Sequence, residues 1–237
     1  MSACRPICQK MFVQGVTDAG GATWSVWFKI DSLGQQIRLF LFASNGSWGT
    51  NVLSLSYLTN HTIYMSQGAF SVGVSPVMSD VPLGQWHLLV VTWDKNDQLA
   101  RCYVNDVLRA TTNIPTVFSP GNTSSYAIQG GYTFPNICSW DELTVWTSTR
   151  FSAAQRTALY NSGAGAQYPT YPAGIPAPTA CWKFNSSITD SVLGITMSNF
   201  PSAWDYQAGK FGNAVHKTLT PASFNLSSGA QAGLKIP

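Results

Sequence analysis

Hydrophobic and polar residues alternate along much of this chain. In residues 24–30, WSVWFKI, Trp24, Val26, Phe28 and Ile30 share one face, and Ser25, Trp27 and Lys29 share the other. A period of two marks a half-buried β-strand. Strand-like segments follow at 36–43 (QIRLFLFA), 52–58 (VLSLSYL), 62–66 (TIYMS) and 69–74 (AFSVGV), separated by turn clusters such as SNGSWG. Residues 83–112, LGQWHLLVVTWDKNDQLARCYVNDVLRATT, predict three strands and two tight turns. The apolar run 86–93 is expected to be buried, DKNDQ turns the chain, and strand 99–104 leads into Asn105-Asp106. That dipeptide fits a two-residue hairpin, which needs positive φ at both positions. Strand 107–112 then returns, and 138–146, CSWDELTVW, adds another. Many short strands with regular turn signals predict a sandwich or barrel.

One segment has a helical pattern. Ser152 and Gln155 form a capping box, Phe151, Ala154, Ala158 and Leu159 fall on one stripe, and Gly163 suits the C-terminal cap. A helix this short is expected to plug an end or edge of the sandwich. Residues 164–180, AGAQYPTYPAGIPAPTA, carry four prolines between Pro169 and Pro178. They predict an extended connector pinned along the surface by its tyrosines. Strand-like patches return in ACWKFN, GITMSNF, AVHKTL and ASFNLSS, within 181–237.

These segments resemble the laminin-G-like, or concanavalin A-like, jelly-roll superfamily. Trp86, Trp93, Asp94, Tyr103, Val104 and Asn105 are similar to its pattern W, hydrophobic run, WD, then YVNG, with Asp106 in place of the usual Gly. TWSVWFKI resembles its early strand, and WDELTVWTSTRFSAAQRTALYNSG its closing strand and short helix. The resemblance covers residues 24 to about 163. It implies an all-β, concanavalin A-like (laminin-G-like) jelly-roll β-sandwich with one short helix. CWKFNSSITDSVLG and AGKFGNAV resemble the segment that normally opens such a domain, yet here they come last. The expected organisation is therefore 1–23 as an N-terminal docking segment, 24–163 as the main sandwich and 164–180 as connector. Residues 181–237 would supply strands that complete the sandwich, in permuted order or by swapping into a neighbouring subunit.

Composition narrows the function classes. Charged residues are only 10% of the 237 and the net charge of +3 is spread thinly. With no Lys/Arg run, the footprint of a nucleic-acid or anionic-lipid binder is missing. No apolar run approaches the ~18 residues of a membrane span. The opening MSACRPICQKMFVQG lacks the ~7–15-residue apolar stretch of a secretory signal. The expectation is a chain made and used without that pathway, or one whose signal has been removed. Five cysteines, Cys4, Cys8, Cys102, Cys138 and Cys181, argue against a complete disulfide framework. Cys102, within a strand pattern, reads as a small buried hydrophobe.

Catalytic constellations are sparse. Glycoside hydrolysis usually needs two carboxylates ~5–10 Å apart across one sugar bond. The chain has a single glutamate, Glu142, and its neighbour Asp141 is expected on the opposite face of the same strand. Asp141 is expected to accept backbone hydrogen bonds, and His87 to be a satisfied structural histidine. Calcium, the superfamily's common ligand, needs six to eight oxygens at roughly 2.3–2.6 Å; Asp94 and Asp97 are the candidates for a shared rim loop, against the alternative of ordinary turn aspartates. The chain is otherwise expected to need no cofactor. Trp27, on the Lys29 face, Trp48, in a turn, and Trp204 and Tyr206, flanking Asp205, are candidates for stacking on a sugar or contacting a protein. Five N-x-S/T sequons, at Asn45, Asn60, Asn122, Asn185 and Asn225, are expected from chance in so Asn- and Ser-rich a chain.

The expected function is a non-catalytic structural or adhesion module. The first reading is a virus or phage particle surface component, a capsid decoration or tail protein, in the virion and docked on other virion proteins or on its own subunits as a homo-oligomer. The alternative is an extracellular carbohydrate-binding, lectin-like module, with calcium assisting.

Overall fold

A computed structural model describes residues 20–33, 37–44, 52–67, 70–113, 124–129, 137–194, 196, 204–217 and 224–225. The first half of the chain forms β1 (Gly21–Ser32), β2 (Ile37–Ser44), β3 (Val52–Tyr57), β4 (Ile63–Gln67), β5 (Phe70–Val74), β6 (Trp86–Asp94), β7 (Leu99–Val104) and β8 (Val107–Asn113). The second half adds β9 (Ser124–Gln129), β10 (Ile137–Trp146), α1 (Ala153–Tyr160), β11 (Ala180–Trp182), β12 (Trp204–Ala208), β13 (Asn213–Lys217) and β14 (Phe224–Asn225). These make two antiparallel sheets. The eight-stranded sheet runs β12-β13-β10-β1-β6-β7-β8, with β11 also on β10, and the six-stranded sheet runs β14-β9-β2-β3-β4-β5.

The alternation read from the sequence is the packing rule. Trp24, Val26, Phe28 and Ile30 of β1 and Leu89 and Val91 of β6 meet Leu39 of β2, Leu55 and Tyr57 of β3, and Ile63 and Met65 of β4 between the sheets. The turn after β7 has positive φ at Asn105 (53°) and Asp106 (62°), as its hairpin geometry demands. β9 and β12 are strands that the pattern did not single out. Cys102, Cys138 and Cys181 are free and buried, so Cys102 is the small core hydrophobe expected. Cys4, Cys8 and most of the 1–23 segment lie outside the described residues, as does most of GITMSNF.

The helix differs in placement from the sequence reading. The Ser152–Gln155 capping box is present, but the α-helix already ends at Asn161 (φ 46°), and positive φ continues through Ser162 (52°) to Gly163 (89°). Asn tolerates that conformation because its short side chain bonds locally. Ala154 is exposed; Phe151 and Leu159 carry the buried stripe. They pack on the outer side of the eight-stranded sheet, with Trp27, Leu88, Val90, Tyr103 and Trp146, and not at an end of the sandwich. The 164–180 connector joins this outer layer. Ala166, Tyr171 and Ile175 pack against the same cluster, and Trp146 Nε1 donates to Pro176 O at 3.0 Å.

The last quarter of the chain pairs in cis with β9 and β10. β13 pairs with β10 through Cys138, Ser139 and Trp140, β11 pairs with β10 through Leu143, Thr144 and Val145, and β14 pairs with β9. One edge of β10 is thus shared by two strands, and the gap between them falls at Asp141 and Glu142.

Candidate functional site

The gap has a local cause. Opposite β10, Ser25 of β1 pairs with Thr144 and Trp27 with Asp141, so Val26 alone faces both Glu142 and Leu143. That is a β-bulge, two residues against one, and Glu142 there takes a positive φ of 49°. Beyond the bulge the alternation resumes one residue out of step. Trp140, Leu143 and Val145 face the core, while Asp141 and Glu142 both turn to the outer side. The sequence expectation of opposite faces is corrected here: strict alternation fails wherever a bulge inserts a residue.

Both carboxyls are sealed there, with Asp141 at 0% and Glu142 at 3% exposure. Asp141 accepts from the backbone N–H of Glu142 (Oδ1, 2.8 Å) and of Phe211 (Oδ2, 2.8 Å), in keeping with the backbone-acceptor role expected of it. Glu142 Oε1 accepts from Gln167 Nε2 of the connector at 2.8 Å, and the Cys181 thiol lies 3.6 Å from Oε2. Burial, then the neighbouring Glu142 charge, pushes the Asp141 pKa up to about 7 against the donated hydrogen bonds. Burial likewise raises that of Glu142. Gly209 makes the close approach of the next turn feasible, since a Cβ there would sit 2.6 Å from Asp141 Oδ2. Two adjacent carboxyls under a roof are not arranged to flank a sugar bond.

The remaining sequence candidates are dispersed. Trp27 is 1% exposed. Its ring stacks near Tyr160 (centroids 6.3 Å), meets Phe211 edge-on, and has Lys210 Nζ 4.6 Å from its centroid. A tryptophan out of register with the inner core therefore serves a second, outer core, a layer that strand periodicity alone does not reveal. Trp48 lies outside the described residues. Trp204 and Tyr206 are on β12, the edge strand, and Tyr206 packs partly against the main core. Asp94 accepts from Asn96 N at 2.9 Å and pairs with Arg150. Asp97 accepts from Leu99 N at 2.9 Å and pairs with Arg101. The two acids are thus spent on separate arginines and separate turn amides, and among the described residues no three His, Cys, Asp or Glu side chains gather as a metal site. His87 is 4% exposed. Its Nε2 donates to Pro82 O at 2.9 Å and its Nδ1 accepts from Asn105 Nδ2 at 3.0 Å, a satisfied neutral imidazole whose pKa burial lowers.

The outer side of the six-stranded sheet is built differently. Leu55 and Tyr57 of β3 and Ile63 and Met65 of β4 are fully buried in the core. By the strand period, Ser56 and Tyr64 between them point away from it. The two are register partners, with Ser56 buried and Tyr64 half-buried. The same pairing row continues through Val74 of β5 on one side and through Arg38 of β2 and Gln129 of β9 on the other. Two residues along the strands, Ser54, Ser66 and Ser71 occupy the next row. Among the described residues, the two clusters of buried apolar side chains lie between the sheets and over the eight-stranded sheet. Neither extends over this face. Tyr64, half-buried on this side, is an aromatic that can stack on a polar ligand and hydrogen-bond it through its hydroxyl.

Comparison with known proteins fits this architecture. Residues 12–155 match the family described as the concanavalin A-like lectin/glucanases superfamily, and the chain belongs to it. No curated protein matches the sequence significantly. Among solved structures, a heptameric SAP-like pentraxin from Limulus polyphemus is similar at 14% identity and a TM-score of 0.43, over 71% of this chain and 86% of that one. A candidate carbohydrate-binding protein from Bacteroides ovatus has 14% identity and a TM-score of 0.49, over 93% of this chain but only 57% of its own length. The CBM40 of a Ruminococcus gnavus IT-sialidase, bound to α2,3 sialyllactose, has 11% identity and a TM-score of 0.44, over 63% of this chain and 95% of that one.

Proposed function

We propose that this chain is a non-catalytic binding module that takes carbohydrate on the outer face of its six-stranded sheet, at Tyr64. The observation that carries the reading is the asymmetry of the sandwich. One outer face is roofed by α1 and the connector, whereas among the described residues neither apolar cluster extends over the other. Family membership supports carbohydrate over a particle-surface role. The non-catalytic part rests on the acids: the lone glutamate and its neighbour are buried side by side beneath the roof, where no substrate reaches them.

A glycan array probed with the whole chain, with and without calcium, tests this. Retention on a defined glycan class is expected, weakened at least tenfold (~1.4 kcal/mol) by Tyr64→Ala, with the melting temperature of the variant held. Retention on no glycan, together with co-sedimentation with a viral particle, would overturn the reading in favour of a shell protein. Turnover of a β-glucan would overturn its non-catalytic part.

A further inference from the structure

Charge is divided unequally between the two sheets. The strands of the eight-stranded sheet include the acids Asp31, Asp94, Asp141, Glu142 and Asp205. Those of the six-stranded sheet include no acid, and their one basic residue is Arg38 of β2. The segments that connect them are as bare. Between Asp31 and Asp80 the only Lys, Arg, Asp or Glu is Arg38, and between Arg109 and Asp141 there is none. The acids that bound these stretches have partners: Asp31 pairs with Lys29, and Asp80 with Arg109.

Register fixes where the lone arginine stands. Ile37 and Leu39 are both fully buried in the core, so the position between them falls on the outer face. Its register partner is Ser56, and the partner of Ser56 is Tyr64. Arg38 and Tyr64 therefore share one row, two strands apart, about 10 Å at the usual spacing of neighbouring strands. Ser56 between them is small and buried, so it raises no bulk that would keep one ligand from reaching both positions. On the other side of Arg38 the row continues to Gln129.

We propose that the saccharide bound by this face is acidic, its carboxylate or sulfate recognised at Arg38 while a ring of the same molecule stacks at Tyr64. The inference rests on the reading of this face as a carbohydrate site. A guanidinium stays charged throughout the physiological pH range and offers a planar fork of donors that matches two oxygens of one oxyanion. With no acid on these strands, the sheet sets no like charge against an anionic ligand. The tyrosine ring takes the apolar face of a sugar whatever its charge. The arginine then selects the acidic members of the class.

The test uses the full chain on an array of matched probes: a neutral oligosaccharide, its uronate counterpart, the methyl ester of that uronate, and a sulfated counterpart. Polyglutamate serves as an anion that is not a saccharide. The uronate or the sulfated probe is expected to be retained at least tenfold better than the neutral probe and the ester, and the better of the two identifies the anion. That preference is expected to weaken as salt is raised from about 0.05 M to about 0.5 M, where a solvent-exposed ion pair is screened. Arg38→Gln is expected to abolish the preference and to leave the weaker retention of the neutral probe. Arg38→Lys is expected to restore part of it, with the melting temperature of both variants unchanged. Equal retention of neutral and acidic probes, a preference that survives in Arg38→Gln, or polyglutamate held as tightly as the acidic saccharides would overturn this inference and leave the carbohydrate reading in place. Retention of no saccharide at all would overturn both.

Discussion

Asp141 and Glu142 are consecutive on β10, yet both carboxyls lie on the same side of the sheet, because Glu142 takes a positive φ of 49° at a bulge opposite Val26. That relationship marks where the two C-terminal strands part on β10, and it turns Glu142 toward the connector and Asp141 toward the turn before β13.

The first consequence is a stability profile that declines toward alkaline pH. In the unfolded chain both acids titrate near ~4; in the fold Asp141 is raised to about 7 and Glu142 is raised as well. The folded state therefore holds more protons than the unfolded one between those values. The contribution of Asp141 is full below ~4 and is lost as pH rises through about 7, and that of Glu142 has the same sign. Calorimetry is expected to give a melting temperature several degrees lower at pH 8 than at pH 5.5, at about 2–4 °C per kcal/mol for a domain of this size. Asp141→Asn should flatten the profile. His87, lowered by burial, acts in the other direction, its contribution being lost as pH falls below its unfolded value.

Trp27 belongs to the outer core and not to a ligand surface. Trp27→Ala leaves a cavity among Tyr160, Phe211 and Lys210 and is expected to cost about 3–5 kcal/mol, measured by urea unfolding. Any glycan retention by the folded fraction should be unchanged. A loss of retention without a loss of stability would return Trp27 to the list of ligand contacts.

Gly209 is a steric test of the same region. Its Cβ would meet Asp141 Oδ2 at 2.6 Å, the Asn213 carbonyl carbon at 2.8 Å and the Ala214 nitrogen at 2.9 Å. Gly209→Ala is expected to destabilise by about 1–3 kcal/mol, the usual cost of overpacking, because backbone cannot give way as a flexible side chain would. A chain ending at Gly165 removes more. It strips β11 and β13 from β10 and leaves Trp140 and the acids uncovered. No cooperative melt is expected from that truncated chain by circular dichroism.

Much of the inner architecture was legible from period-two alternation. The β6–β7–β8 unit, the Asn105-Asp106 turn and the apolar stripe of β1 follow from local residue choice, because a strand with one face in a core must alternate. The same reasoning misplaced Glu142, since a bulge resets the alternation without any Gly or Pro to announce it. It also gave Trp27 to the ligand-facing side. A residue out of step with the inner core looks exposed until a third layer, here α1 and the connector, is set on top. β12 was missed although WDYQA alternates Trp204, Tyr206 and Ala208 with Asp205 and Gln207; its aromatics read as ligand contacts until the core that Tyr206 packs against is seen.

The sequence alone determined the fold class, the family and the inner core, for burying alternate side chains between two sheets is a property of the residues in order. It also showed, in its single glutamate, that a pair of glutamates was not available. Tertiary structure decided which sheet face is roofed, that the tail pairs with β10 in cis, and that two adjacent acids share one buried layer. Those outcomes depend on contacts between segments far apart in the chain, where the free energy of closing one arrangement over another is set by what the distant partner offers and not by local pattern.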